Sequence, residues 1–82
     1  MMKIEFTMHY ILMFSHELRK DDWELCEHEY CITARNMCED MQIIIPKRLD
    51  EFNMIDLWCS GALLNSFGTI TMLDICLKDL LK

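Results

Sequence analysis

The residues of this chain best equipped for chemistry fall in one short stretch, Glu24, Glu27, His28 and Cys31. On a helix, His28 would stand four residues after Glu24 and three before Cys31, so oxygen, nitrogen and sulfur donors would share one surface. A purposeful metal site needs three or four converging ligands held by further hydrogen bonds, and the pattern occurs nowhere else in the chain. No metal site is expected. His9 and His16 are seven residues apart, which on a helix means about 10 Å, too far for one ion to bridge. His16-Glu17 opens like the zinc-protease sequence His-Glu-x-x-His, but the fifth position is Lys20 and the second histidine is missing.

Cys26, Cys31, Cys38, Cys59 and Cys76 make five thiols, which cannot all pair within one chain. None stands in a Cys-x-x-Cys, and on a helix Cys26 and Cys31 would point about 140° apart. Reduced and largely buried thiols are the expectation. A nucleophilic thiol needs an electropositive setting, whereas the cysteines near His28 sit among carboxylates. Gly61 and Gly68 are the only glycines, so no loop can cradle a phosphate in the manner of nucleotide-binding motifs. The chain is therefore expected to be non-enzymatic and to carry no cofactor.

The formal charge of -6 opposes direct binding to nucleic acid, which requires a basic patch. The acidity is concentrated: from Glu17 to Asp40, eight carboxylates face only Arg19, Lys20 and Arg35. Such a field attracts a basic partner. No run approaches the roughly 18 to 20 apolar residues of a membrane span, and Met8 to Phe14, the nearest candidate, is short and contains His9. The opening residues lack the basic region and apolar run of a secretory signal, so a cytoplasmic location is expected.

Residues 3 to 9 alternate, with Ile4, Phe6 and Met8 opposite Glu5, Thr7 and His9, which predicts a strand. From Met8 onward a helical face of Met8, Ile11, Leu12, Ser15 and Leu18 competes, and the switch point is left open. Asp21 with Glu24 resembles a capping box, and Trp23, Cys26, Tyr30, Ala34, Met37 and Met41 follow at spacings of three and four, predicting a long helix. Leu25 and Ile32 form a second, narrower apolar stripe on that helix, beside His28 and Glu39. Residues 42 to 45 read as a short strand ahead of Pro46, free to pair with residues 3 to 9. Leu49, Phe52, Ile55, Trp58, Cys59 and Ala62 predict a helix within Arg48 to Ser66, capped by Asp50 or Asn53, in which Gly61 marks close packing or a break. A last amphipathic helix is predicted from Thr71 to Lys82, with Asp74 and Lys78 paired four apart.

The expected architecture is thus a single 1–82 domain of α+β class, predominantly helical, with one or two short strands and three helices. An all-α small bundle is the alternative. An apolar fraction of 52% is high for 82 residues, and its kind is unusual: eight Met, eleven Leu and nine Ile against two Ala and no Val. So small a body buries little, and flexible Met suits adaptable contact surfaces, so self-association or a protein partner is expected to cover the excess. The contact residues predicted on the doubled stripe are Leu25, His28, Ile32 and Glu39.

The opening Met1-Met2-Lys3-Ile4-Glu5-Phe6-Thr7-Met8-His9-Tyr10, the short length and the acidity resemble the small host-interaction proteins of T-even-type bacteriophages. The resemblance implies a host-cytoplasmic protein that takes over or delays a host-side process, as cytoplasmic antiholins do in lysis inhibition by contacting the soluble part of a holin. The functional expectation is a regulatory or inhibitory protein-binding protein. An acidic mimic of nucleic acid and a small thiol or metal-binding protein are the alternatives.

Overall fold

The computed structural model describes residues 4–50 and 52–81. In chain order the elements are β1 (Ile4–Glu5), α1 (Met8–Phe14), a 3-10 turn (Glu17–Arg19), β2 (Trp23–Glu27), β3 (Cys31–Asn36), β4 (Met41–Pro46), β5 (Arg48–Leu49), β6 (Ile55–Cys59), β7 (Ala62–Phe67) and α2 (Ile70–Leu80). Five strands form one antiparallel sheet in the order β2-β3-β4-β6-β7, and β1 pairs with β5 beside it. Both helices and the 3-10 turn cover one face of the sheet, and their Ile11, Leu18, Ile70, Leu73 and Leu77 meet Trp23, Ile32, Ala34, Ile43, Ile45, Ile55 and Leu57 in a single core.

The expectation of a predominantly helical α+β fold, and the all-α bundle with it, are both overturned: among the described residues strand predominates over helix. Alternation governs the middle of the chain. Ile32, Ala34 and Asn36, then Met41, Ile43 and Ile45, then Ile55 and Leu57 are buried on one face, and the residues between them point to the other. The helix expected from Asp21 to Met41 is instead β2, a hairpin turn at residues 28–30, β3, and a second turn entering β4. Its three-four spacing was satisfied by residues that lie on different strands and in turns. β-Branched Ile32, Thr33, Ile43, Ile44 and Ile45 pack better on a pleated surface than against a helical turn, and this outweighs the carboxylates that suggested a helix start.

The helix expected within Arg48 to Ser66, of which Glu51 lies outside the described residues, is a β-hairpin. Ser60 and Gly61 both adopt positive φ, 52° and 81°. Two consecutive residues in that region make the two-residue turn whose twist matches the flanking strands, so Ile55–Cys59 and Ala62–Phe67 fold back on each other. Asp50 caps a turn rather than a helix: its Oδ1 accepts the N–H groups of Phe52 at 2.8 Å and Asn53 at 2.9 Å.

At the two ends of the chain, the expected pattern is closer to what is found. The strand predicted over residues 3 to 9 shrinks to Ile4–Glu5, with Lys3 outside the described residues, and gives way to α1 where Thr7 accepts the N–H of Tyr10 at 3.1 Å. Its strand partner is β5 rather than residues 42–45, which belong to β4. The final helix forms as α2, capped by Thr69, with Lys82 outside the described residues. A buried polar latch joins the two ends of the chain. The Ser15 hydroxyl donates to Asp74 at 2.6 Å, the Glu17 N–H donates to the same oxygen at 3.2 Å, and Leu18 N–H donates to the Ser15 oxygen. No helix among the described residues is long and apolar enough to cross a membrane.

Candidate functional site

Pairing register places on the uncovered face of the sheet a row running Glu24, Arg35, Gln42, Trp58 and Leu63, and beside it a row running Cys26, Thr33, Ile44, Asp56 and Ser66. Directly opposed residues of an antiparallel pair share a face, so the rows follow from the backbone alone. Ile44 stands between two depressions. One, of about 290 Å³, has Arg35, Gln42 and Trp58 in its walls; the other, of about 350 Å³, has Cys31, Pro46, Phe52 and Met54.

The second depression shares Pro46 and Asn53 with a larger groove of about 600 Å³ at the end of the molecule, where Tyr30 meets Glu5, Glu27, Lys47 and Arg48. The Lys47 N–H donates to the Tyr30 carbonyl at 3.0 Å and the Phe6 N–H donates to the Lys47 carbonyl at 2.6 Å, which ties the hairpin, the β4–β5 link and the amino-terminal arm together around this groove. Its two cations are already engaged, Lys47 with Glu27 and Arg48 with Glu5, both at 3.4 Å. The three hollows are therefore connected into one tract through shared walls at Pro46, Asn53 and Ile44, the two smaller on the bare side of the sheet and the largest around its end, where Phe6, Thr7 and Glu27 line it.

Several large apolar side chains border this tract without being covered. Phe52 is 86% exposed, Tyr30 79%, and Met37 and Met54 stand out from turns or strand ends. The Phe52 backbone is tied into the turn by its N–H, which donates to Asp50 Oδ1. Among the described residues the Trp58 indole N–H has no acceptor, and Glu17 Oε2, Trp23 Nε1 and Asn36 Nδ2 on the helix side have no partner either, so this donor does not by itself mark the face.

Of the four residues predicted as contacts, Ile32 has 0% exposure and belongs to the core, and Leu25 is half-buried against the same core from β2. The doubled helical stripe does not exist, because the two lie on neighbouring strands. His28 and Glu39 are exposed but sit in turns at opposite ends of β3. His28 Nε2 lies 3.1 Å from the Thr33 hydroxyl, and Asn36 Oδ1 accepts the Glu39 N–H. The four do not form one patch. The outward alternation of Ile44, Asp56 and Trp58 escapes the sequence reading because Trp58 fits a helical spacing with Ile55 and Cys59, and Ile44 stands within a continuous apolar run.

The chemical groups singled out in the sequence separate likewise. Among the described residues no three His, Cys, Asp or Glu side chains converge in a way that could hold a metal ion. Burial first, and Asp79 second, push the Cys76 thiol above the ordinary range, which opposes thiolate formation. Lys20 is held above its ordinary value by its hydrogen bond to Glu17 at 2.8 Å and by the charge of that carboxylate. Comparison with protein-family models, curated proteins and solved structures gives no match to this chain.

Proposed function

We propose that this protein is a non-enzymatic regulatory or inhibitory module that acts by binding another protein across the bare face of its sheet. The observation that carries the reading is the connected tract past Ile44 and Pro46, bordered by Phe52, Met54, Trp58 and Tyr30. A small ligand needs one enclosed pocket with convergent polar groups, whereas linked shallow hollows with aromatic and methionine rims suit a protein surface. Exposure of a phenylalanine to water carries no benefit to folding, and contact with a partner would recover its hydrophobic burial.

The chemistry of the surface also describes the partner. Glu5, Glu27, Glu29, Asp40 and Asp56 line the tract against Arg35, Lys47 and Arg48. A partner presenting apolar side chains flanked by basic ones fits both features. The resemblance of the opening residues to phage host-interaction proteins makes the soluble part of a holin the first specific partner to try, in a cytoplasmic setting.

The test is affinity capture from cell extract with wild type and with an Ile44→Lys, Phe52→Ser double variant, quantifying each retained protein and the melting temperature in parallel. The reading expects a retained protein to be lost from the variant while melting changes by only a few degrees. Equal retention of every protein by both forms would remove the bare face from consideration.

A further inference from the structure

The sheet ends at β2 on one side and at β7 on the other, and the two edges are built differently. β2, Trp-Glu-Leu-Cys-Glu, carries exposed Glu24 and Glu27 and is preceded by Asp21 and Asp22. Charges of this kind on an edge discourage another strand from pairing there. β7, Ala-Leu-Leu-Asn-Ser-Phe, has no charged residue and no proline. Its one irregularity is a bulge: Asn65 pairs with Leu57 and Leu63 with Trp58, so Leu64 is the extra residue. Leu63 and Leu64 are each 51% exposed, so this edge is apolar as well as uncharged.

We propose that β7 pairs antiparallel with β7 of a second copy of this chain, joining the two sheets across a two-fold axis. Among the described residues the outer edge of β7 pairs with no strand, and although the Ser66 N–H donates to its neighbour Asn65 Oδ1 at 2.8 Å, an added extended backbone can take up the remaining row. Charge permits a second copy to supply that backbone here and nowhere else along the acidic surface. Two molecules of charge -6 repel wherever their acidic surfaces approach within a Debye length of about 8 Å. Yet the seventeen residues from Leu57 to Leu73 contain no Asp, Glu, Lys, Arg or His, in a chain that is 27% charged. This run holds the whole of β7 with its turn and the first residues of α2, so two copies meet there through neutral surface. The bounding carboxylates are held within their own molecule, Asp56 by the Ser66 hydroxyl at 2.9 Å and Asp74 by Ser15. A two-fold pairing of the strand with itself, centred between Leu63 and Leu64, sets each against the other in the second copy and requires no complementary charge.

The experiment is sedimentation velocity over a wide concentration range on wild type, Leu64→Lys and Phe52→Lys, combined with hydrogen exchange of the β7 amides. The expected result is a wild-type dimer, a dissociation constant raised about tenfold or more by Leu64→Lys, and no such change in Phe52→Lys. The outward amides of Ala62–Phe67 exchange slowly in wild type and quickly in Leu64→Lys. Asn65→Asp, at another exposed position of the same strand, gives the same loss if Leu64→Lys disturbs folding. A wild type that stays monomeric at every concentration overturns the proposal. So does a dimer that Phe52→Lys abolishes and Leu64→Lys does not, which would place the contact on the bare face. Partner capture by the bare face is read separately, so failure here leaves that test intact.

Discussion

The two faces of the sheet receive similar apolar material and treat it differently. On the helix side, Ile32, Ile43, Ile45, Ile55 and Leu57 are fully buried beneath Ile11, Leu73 and Leu77, and the Ser15–Asp74 latch fixes the covering layer. On the other side, Ile44, Trp58, Pro46, Phe52 and Met54 are left half-buried or exposed around shallow hollows. Two helices suffice to cover one face of a five-stranded sheet and no more. A small chain that makes this choice keeps its stability on one side and leaves the other side bare.

Substitutions on the two faces should therefore separate in size. Leu57→Ala, at a fully buried position, is expected to cost about 2 to 5 kcal/mol by chemical denaturation. A loss below about 1 kcal/mol would show that the helix side is loosely packed. Asp74→Ala leaves the Ser15 hydroxyl and the Glu17 N–H without their acceptor in a buried place, and a loss of about 1 to 3 kcal/mol is expected. Phe52→Ser, on the bare side, should change stability by about 0.5 kcal/mol or less, because the ring touches little in the free chain.

Titration sharpens the same contrast more gently. A raised lysine pKa in the folded state means that the Lys20 contribution is fully present below the unfolded value of about 10.5 and is lost as pH rises through the folded one. Stability should fall above that pH in wild type, and less steeply in Lys20→Met. Cys76, partly covered by the core and with its thiol pushed up, should alkylate more slowly at mildly alkaline pH than the exposed Cys26 and Cys38. Equal rates would mean that α2 opens readily from the sheet.

How legible the fold is from the sequence depends on how many readings each segment permits. The closing helix is legible because Leu73, Leu77 and the Asp74–Lys78 pair all agree, although its cap is Thr69 and not the expected Thr71, and the run ahead of Pro46 is legible because three isoleucines leave little choice. From Trp23 to Met41, both periods can be drawn through the same residues. The turn at residues 28–30 contains no glycine, and without that break the longer helical pattern looked the better one. Ser60-Gly61 did carry a hairpin signal, but it stood inside a run of helical spacing and was read as close packing or a break. The bare face was not legible at all, because it exists only once strand order puts Gln42 beside Trp58 and Ile44 beside Asp56. Those neighbours are set by pairing between segments, which no local period encodes.

The most direct measurement is oxidative surface footprinting of the protein alone and bound to a protein it captures, read at side chains that divide between the two faces. The account predicts that Phe52, Met54, Trp58 and Tyr30 become protected while Met13, Phe14 and Met72 on the helices react as before. Protection of the helical set, with the bare face unchanged, would contradict it.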